Sequence, residues 1–375
     1  MVLGGWDYAA ALVGSLALTL LFTPLCLRYA HRHRLFDHPA PHKSQGSPVP
    51  YLGGVAMVVA FSAALLGVAL FHGPRSSFPE LALIVGLGIL LSAVGLADDL
   101  WQVSPWLRLA VEAGAGLALW FGGVRTLLTG QPIVDGVMTV CWVVVVTNAV
   151  NLLDNTDGLS AGVATIAALF FFVIAATNHQ FLVAGLSIAL AGCAGGFLRS
   201  NFYPARMYMG DAGSLFIGFI LAVIGIKLRF DGPTQVTFFV PVLVLGVALF
   251  DTALVITNRL AHGRSPLLGG RDHASHRLVA IGVPVPFAVV LTYVGGASLG
   301  WLGLVMSQVD RNTGFLLMGW TLAVAVLFGL LLSAVPVYDT SRRRRLVLQE
   351  VPPAEWNPQL PTLPGSGGRP ATPHA

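Results

Sequence analysis

The chain has 375 residues, of which 55% are apolar and only 10% are charged, and its mean hydropathy is +0.77. Soluble domains are charged at about 25% of their positions, so these values exclude a water-soluble globular protein. They also exclude a disordered chain, because disorder requires low hydrophobicity. The net charge of +4 is too small to indicate nucleic-acid binding, and three cysteines in apolar stretches form neither a disulfide framework nor a zinc motif. An integral membrane protein is therefore predicted.

The predicted fold is all-α, a polytopic membrane bundle of about eleven transmembrane helices. A bilayer core requires roughly 20 apolar residues per helix. The stretches that meet this requirement are 7–29, 51–72, 80–97, 105–122, 137–153, 159–177, 181–199, 212–228, 236–258, 285–307 and 314–337. The membrane domain is thus predicted to cover 1–337. Residues 338–375 carry four consecutive arginines near their start, at 342–345, and are then rich in proline, which predicts a disordered cytoplasmic tail.

The basic residues indicate the orientation of the bundle. With the N-terminus outside, sixteen of the 21 lysines and arginines lie on the cytoplasmic side and five lie outside. Cytoplasmic loops are enriched in these residues, so the split favours an outer N-terminus and a cytoplasmic C-terminus. No basic residue precedes the first apolar stretch, so we expect a retained helix there and not a cleaved signal peptide.

Polar residues gather at the predicted cytoplasmic helix ends. Asp98 and Asp99 end the third span, where the helix terminus and the two carboxylates repel one another and favour a cation or a shared proton. Lys43, in the first loop, is a candidate phosphate contact or simply one more cytoplasmic charge. Asp251 and Glu112 lie within spans and are expected to face the bundle interior, Glu112 in a structural pair.

A second cluster follows the fifth span. Asn148, Asn151, Asp154 and Asp157 recur in steps of three, which places successive members side by side on a helical stripe. Four oxygen-bearing side chains on one stripe at a membrane surface indicate a functional site.

Two further motifs lie on the same predicted face. Asp211, in the run 209–214, is either the N-cap of the eighth span or part of an open helix start whose amides suit a phosphate. The last loop predicts an anion site, with a solvated basic loop as the alternative. Its candidate residues are Arg271, His273, His276 and Arg277.

The residue types limit the chemistry. Carboxylate and amide oxygens suit Mg²⁺ or Mn²⁺ and not zinc. A membrane location implies that one reactant is a lipid, and the neighbouring basic residues would hold a diphosphate. Phosphoryl transfer from a soluble nucleotide-activated donor to a lipid phosphate fits these features.

Together the motifs resemble the polyprenyl-phosphate N-acetylhexosamine-1-phosphate transferases over about 7–337. The resemblance rests on 97–99, the run 148–158, 209–214 and the His273/His276 loop. It implies that UDP-GlcNAc and a polyprenyl phosphate give polyprenyl-diphospho-GlcNAc and UMP at the cytoplasmic face of a bacterial plasma membrane. Magnesium, or manganese, would be the cofactor. The lipid could be undecaprenyl or decaprenyl phosphate, and a homodimer is one candidate assembly.

The resemblance also implies roles for individual residues. Asn151 and Asp211 would be metal ligands, and Asp157 would lie near the uracil or ribose. Asp98 and Asp99 would activate or orient the lipid phosphate, and Asp154 and Asp157 complete the candidate catalytic acids. The substrate-binding residues implied are Lys43, Asn148, Arg271, His273, His276 and Arg277.

Three positions depart from the family pattern. Only Lys43 remains of an Arg-Lys-x-His motif in the first loop, Asn155 stands where glycine is usual, and Ser275 replaces the middle histidine of the last loop. The competing branch is the phospho-MurNAc-pentapeptide translocases, but eleven spans and a cytoplasmic C-terminus favour the GlcNAc branch. A secondary transporter is the alternative of another class. Its polar sites would lie near the bilayer midplane, usually with internal repeats, and neither feature is seen in the sequence.

Overall fold

In the computed structural model, residues 4–37, 48–72, 77–230, 234–266 and 269–338 are described, and nearly all of their regular structure is helical. The helices are α1 (Gly5–His33), α2 (Gly53–His72), α3 (Phe78–Trp101), α4 (Pro105–Phe121), α5 (Pro132–Leu153), α6 (Leu159–Thr177), α7 (Phe181–Asn201), α8 (Gly210–Lys227), α9 (Thr234–Thr237), α10 (Phe239–Val244), α11 (Gly246–Ala261), α12 (Ala274–Ala280), α13 (Val285–Met306) and α14 (Arg311–Ser333). Two short strands, β1 (Phe36–Asp37) and β2 (Val49–Pro50), form an antiparallel pair that was not predicted.

Nine helices in the described ranges are long and apolar enough to cross a membrane, which supports a multi-pass membrane protein. The predicted count of eleven is not confirmed. The predicted span 105–122 is α4, which has only 17 residues. The predicted span 236–258 is broken into α9, α10 and α11. Pro241 lies within α10, and since proline has no amide proton it removes one bond from the helical ladder. The orientation of the termini stays a prediction.

Helix α8 is the centre of the bundle. It packs against α2, α3 and α5. In its most apolar 18-residue stretch 83% of the residues are buried, whereas in the same length of α14 only 6% are buried. The last turns of α3 and α5 both contact the first turn of α8, so these two helices run antiparallel to it. This arrangement brings the polar ends of three helices together at one end of the bundle.

Glycines allow the backbones to approach closely at that end. A Cβ atom on Gly95 of α3 would overlap the backbone of Asp211, and one on Gly54 of α2 would overlap the backbone of Gly213. The Gly54 amide also donates to the Met209 carbonyl at 3.0 Å. The start of α8 is therefore fixed by backbone contacts on two sides.

The connections differ from the prediction in two places. Helix α5 ends at Leu153, so the predicted stripe is helical only as far as Asn151, and Asp154 and Asp157 lie in the turn that follows. Gly158 closes this turn at φ +77°, a conformation that glycine adopts without strain. The predicted loop between the spans 236–258 and 285–307 contains α12.

One compact unit covers Met1–Val335, and a second covers Pro336–Ala375, of which only 336–338 are described.

We expect Gly95→Ala to lower the thermal unfolding midpoint of the detergent-purified protein, because the added methyl group must push α3 away from α8. Overpacking of this kind costs about 1–3 kcal/mol. Gly86→Ala, on the same helix but with no atom within 4 Å of the added group, is the matched control. It should be neutral or stabilising, and equal losses in the two variants would contradict the close contact.

Candidate active site

The site lies where the end of α3 meets the starts of α4 and α8. Nη1 of Arg108 donates a hydrogen bond to Oδ2 of Asp98 and another to Oδ2 of Asp211. One guanidinium nitrogen therefore lies between two carboxylates. In the sequence Arg108 is only one of the predicted cytoplasmic charges, because no local motif links it to Asp211, 103 residues away.

Asp99 caps α8 from the neighbouring helix. Its Oδ1 accepts from the Asp211 amide at 3.0 Å and its Oδ2 accepts from the Ala212 amide at 3.2 Å. A carboxylate at a helix start is stabilised by the free amides and by the helix dipole. The interpretation of Asp211 as the N-cap is wrong: Met209 occupies that position without a side-chain cap bond. The two amides that could have met a phosphate are taken by Asp99.

Asn151 is held against the start of α8. Its Nδ2 donates to Oδ1 of Asp211 and to Oγ of Ser214, both at 2.8 Å. One turn earlier, Nδ2 of Asn148 donates to Oε2 of Glu112. Glu112 is fully buried and makes the structural pair that was expected of it. Asn148 and Asn151, the two helical members of the predicted stripe, are thus hydrogen-bonded to α4 and α8 respectively.

Asp154 and Asp157 lie in the turn after α5 and have different environments. Burial raises the pKa of Asp154 to about 8, and the negative charges of Asp211, Asp99 and Asp157 add to the rise. Asp157 accepts from the Ala205 amide at 2.8 Å. Asp154 is therefore mostly protonated at neutral pH, and in that form it can donate a hydrogen bond.

The loop that carries His273 and His276 is oriented by Asp251, which was predicted to face the bundle interior. Nδ1 of His273 lies 2.7 Å from Oδ2 of Asp251, and Oδ1 of Asp251 accepts from the Ala274 amide at 2.7 Å. Both Asp251 and His273 are buried, which confirms the interior position of Asp251. A carboxylate partner on Nδ1 favours a proton there and leaves Nε2 for other contacts.

His276 follows one turn later, with its ring centroid 6.1 Å from that of His273. Burial is the main cause that lowers the pKa of His276 to about 4, and the neighbouring His273 and the charge of Arg271 contribute to the same shift. The His276 ring is therefore neutral at physiological pH. A neutral ring gives one hydrogen-bond donor and one acceptor at the site and no charge.

Arg277 has contacts other than the predicted ones with substrate. It is fully buried, its Nε donates to the Asp272 carbonyl, and its Nη1 donates to the Leu332 carbonyl at the end of α14, both at 2.8 Å. Asp272 in turn accepts two bonds of 2.7 Å from Arg259. Through these bonds Arg277 holds α12, and with it the loop of His273 and His276, in place. Arg271 is partly buried beside it.

Ser275 joins the histidine loop to the turn after α5. Its Oγ donates to Oδ1 of Asn155 at 2.9 Å and lies 3.2 Å from Oγ1 of Thr156. Asn155 and Ser275 are two of the positions that depart from the family pattern, and they contact each other. The link fixes the histidines relative to Asp154 and Asp157.

The donor set suits a magnesium ion in its chemistry. Asp211 and the side-chain carbonyl of Asn151 are hard oxygen donors, the type that Mg²⁺ prefers. Among the described residues, no group of three or more acids, histidines or cysteines is arranged to hold an ion. Both oxygens of Asp211 already accept bonds, one from Asn151 and one from Arg108. Lys43 lies outside the described residues.

Residues 81–229 match the model of glycosyl transferase family 4. A decaprenyl-phosphate N-acetylglucosaminephosphotransferase of Mycolicibacterium smegmatis is 30% identical over 86% of this chain and 88% of its own length. A probable undecaprenyl-phosphate N-acetylglucosaminyl 1-phosphate transferase of Bacillus subtilis is 29% identical over 76% of this chain and 81% of its own. A phospho-N-acetylmuramoyl-pentapeptide-transferase of Levilactobacillus brevis is 28% identical over 59% and 75%.

We expect His276→Gln to make the fold less sensitive to acid. The pKa of this imidazole is 6.5 when unperturbed and about 4 in the folded protein. Its contribution to stability is complete above pH 6.5 and is lost as the pH falls through 4. Unfolding midpoints measured from pH 7 down to pH 4 should therefore fall less steeply in the variant. The exposed His33→Gln is the control, and equal slopes in the two variants would rule out the burial effect.

Proposed function

The chain belongs to glycosyl transferase family 4, the polyprenyl-phosphate N-acetylhexosamine-1-phosphate transferases, and we propose that it transfers GlcNAc 1-phosphate from UDP-GlcNAc to a polyprenyl phosphate. The products are polyprenyl-diphospho-GlcNAc and UMP. The relatives from Mycolicibacterium smegmatis and Bacillus subtilis, which are named for this reaction class, support the proposal because each aligns over more than three quarters of its length.

The observation that carries the proposal is the cluster of Asp98, Asp99, Asp211 and Arg108 at the ends of membrane helices. At the ends of membrane helices, a lipid phosphate can lie at the bilayer surface while a water-soluble nucleotide approaches from the aqueous side. Phosphoryl transfer depends chiefly on positioning and charge neutralisation, which acids and guanidinium groups provide.

The chain's own residues have separable roles in this proposal. An oxygen of the lipid phosphate forms a bond to the β-phosphorus of the donor, and the bond from that phosphorus to the bridging oxygen breaks, so that UMP leaves. Asp98 orients Arg108 towards the phosphates, while Asp99 fixes the start of α8. Protonated Asp154 donates a hydrogen bond to a phosphate oxygen. His273, oriented by Asp251, contacts the diphosphate or the sugar through Nε2.

Magnesium belongs to the proposal as its cofactor. Asp211 and Asn151 would hold it, since they supply oxygen donors at the centre of the cluster. When bound, it would neutralise charge that develops on the phosphate oxygens.

The competing branch differs in its donor, UDP-MurNAc-pentapeptide. Its relative from Levilactobacillus brevis aligns with 59% of this chain, against 86% for the Mycolicibacterium smegmatis relative, which favours GlcNAc. Both undecaprenyl and decaprenyl phosphate are named among the relatives, so the length of the lipid stays open. The homodimer also stays a prediction.

UMP release by the detergent-purified protein tests the reaction. We expect UMP only when UDP-GlcNAc, a polyprenyl phosphate and Mg²⁺ are all present, and a loss of at least about a hundredfold in Asp211→Asn, the scale of removing one group that stabilises transition-state charge. Release with UDP-MurNAc-pentapeptide would assign the competing branch. No release from any UDP-sugar by folded protein would contradict a transferase and favour the transporter.

Vesicles of known orientation test the location of the site. We propose that the site faces the cytoplasm, because sixteen of the 21 basic residues lie on that side in the predicted topology. UDP-GlcNAc added outside should be consumed by inverted vesicles and not by sealed right-side-out vesicles. The opposite result would reverse the predicted orientation.

A further inference from the structure

Arg108 lies where a cation is expected. A single nitrogen, Nη1, bonds to Oδ2 of Asp98 and to Oδ2 of Asp211, two acids on different helices. Oδ1 of Asp211 accepts from Nδ2 of Asn151 at 2.8 Å. The proposed metal ligands are therefore closed: one oxygen of Asp211 faces a guanidinium, and Asn151 presents its amide nitrogen, not its oxygen.

A second position for the Arg108 side chain is available one turn along α4. Glu112 lies four residues after Arg108, on the same helical face. Among the buried atoms of the described residues, Oε1 of Glu112 and Nε of Arg108 both lack a hydrogen-bond partner. Buried polar atoms normally have partners, so this acceptor and this donor, one helical turn apart, could form an ion pair that the observed structure leaves unmade. Oε2 of Glu112 is held by Asn148, which fixes the carboxylate in place.

From these contacts we infer that Arg108 and a divalent cation bind Asp211 in alternation, and that Glu112 receives Arg108 when the cation displaces it. In the metal-free protein Arg108 neutralises Asp98 and Asp211. After exchange, the guanidinium pairs with Glu112 while Asp98 still holds it beside the cluster, where its other nitrogens face the substrate phosphates. Asp211 thus exchanges one cation for another and is not left as a bare buried charge, which would be costly.

The inference rests on the proposed function for the identity of the cation, but its test does not require turnover. Mn²⁺ binding to the full-length, detergent-purified protein is measured by electron paramagnetic resonance without substrates. We expect Arg108→Gln to bind Mn²⁺ about tenfold more tightly than wild type, the scale of one lost charge-assisted hydrogen bond. Arg206→Gln removes an exposed positive charge from the same predicted face, and its affinity should match wild type.

A double-mutant cycle separates exchange from simple charge removal. Glu112→Gln keeps an acceptor for Asn148 but removes the partner that receives Arg108, so Mn²⁺ should bind more weakly than in wild type. In the Arg108→Gln background the same substitution should have no further effect, because there is no guanidinium to receive. An equal loss of affinity in both backgrounds would show that Glu112 acts only as a distant charge, and this would overturn the exchange.

Folding of the variants is checked by thermal unfolding. If Arg108→Gln does not fold, Arg108→Lys replaces it, since lysine keeps the charge but loses the guanidinium fork, and its affinity should lie between wild type and the tenfold gain. Unchanged affinity in the folded Arg108 variants would overturn the inference while UMP release still supports the transferase. Absence of Mn²⁺ binding by every form would overturn both the inference and the magnesium assignment, and the UMP assay would then judge the reaction alone.

Discussion

The hydrogen bonds that Asp99 accepts from the Asp211 and Ala212 amides, in the first turn of α8, set the geometry of the whole polar end of the bundle. They hold the end of α3 against the start of α8, where a glycine in each neighbouring helix lets the backbones touch. Asp211 follows directly in that first turn, so its position is determined by the same contacts. Asn151 and Arg108 then bind Asp211 from α5 and α4. The acid cluster is a product of helix packing, and a flexible loop has little part in it.

Low charge in the sequence made much of this cluster predictable. In an apolar chain a carboxylate or a carboxamide is energetically costly, so Asp98, Asp99, Asn151 and Asp211 stand out in the sequence alone. The helices themselves were equally visible as apolar stretches. The sequence pattern does not reveal hydrogen bonds between distant segments. In the sequence Arg108 resembles any other cytoplasmic arginine, and only the tertiary structure shows its bonds to Asp98 and Asp211.

The errors in prediction have local physical causes. The steps of three from Asn148 suggested a continuous stripe, but α5 ends at Leu153 and the following residues favour a turn that closes at Gly158. The predicted span 236–258 is broken near Pro241. Proline has no amide proton and so weakens a helix that hydropathy alone shows as unbroken. The contact of Arg277 with substrate, which the family resemblance implies, stays a prediction. Its burial, which only tertiary structure shows, places Nε and Nη1 against backbone carbonyls.

The difference in burial between α8 and α14 affects how this sequence can diverge during evolution. Lipid tails accept any apolar side chain, so an outward position on α14 has many equivalent residues and can drift almost neutrally. Nearly every position on α8 contacts another helix, and a change there must be matched by a partner. Divergence should therefore accumulate from the rim of the bundle inward, and two chains could differ at most of their lipid-facing positions while the same acids meet at the start of α8.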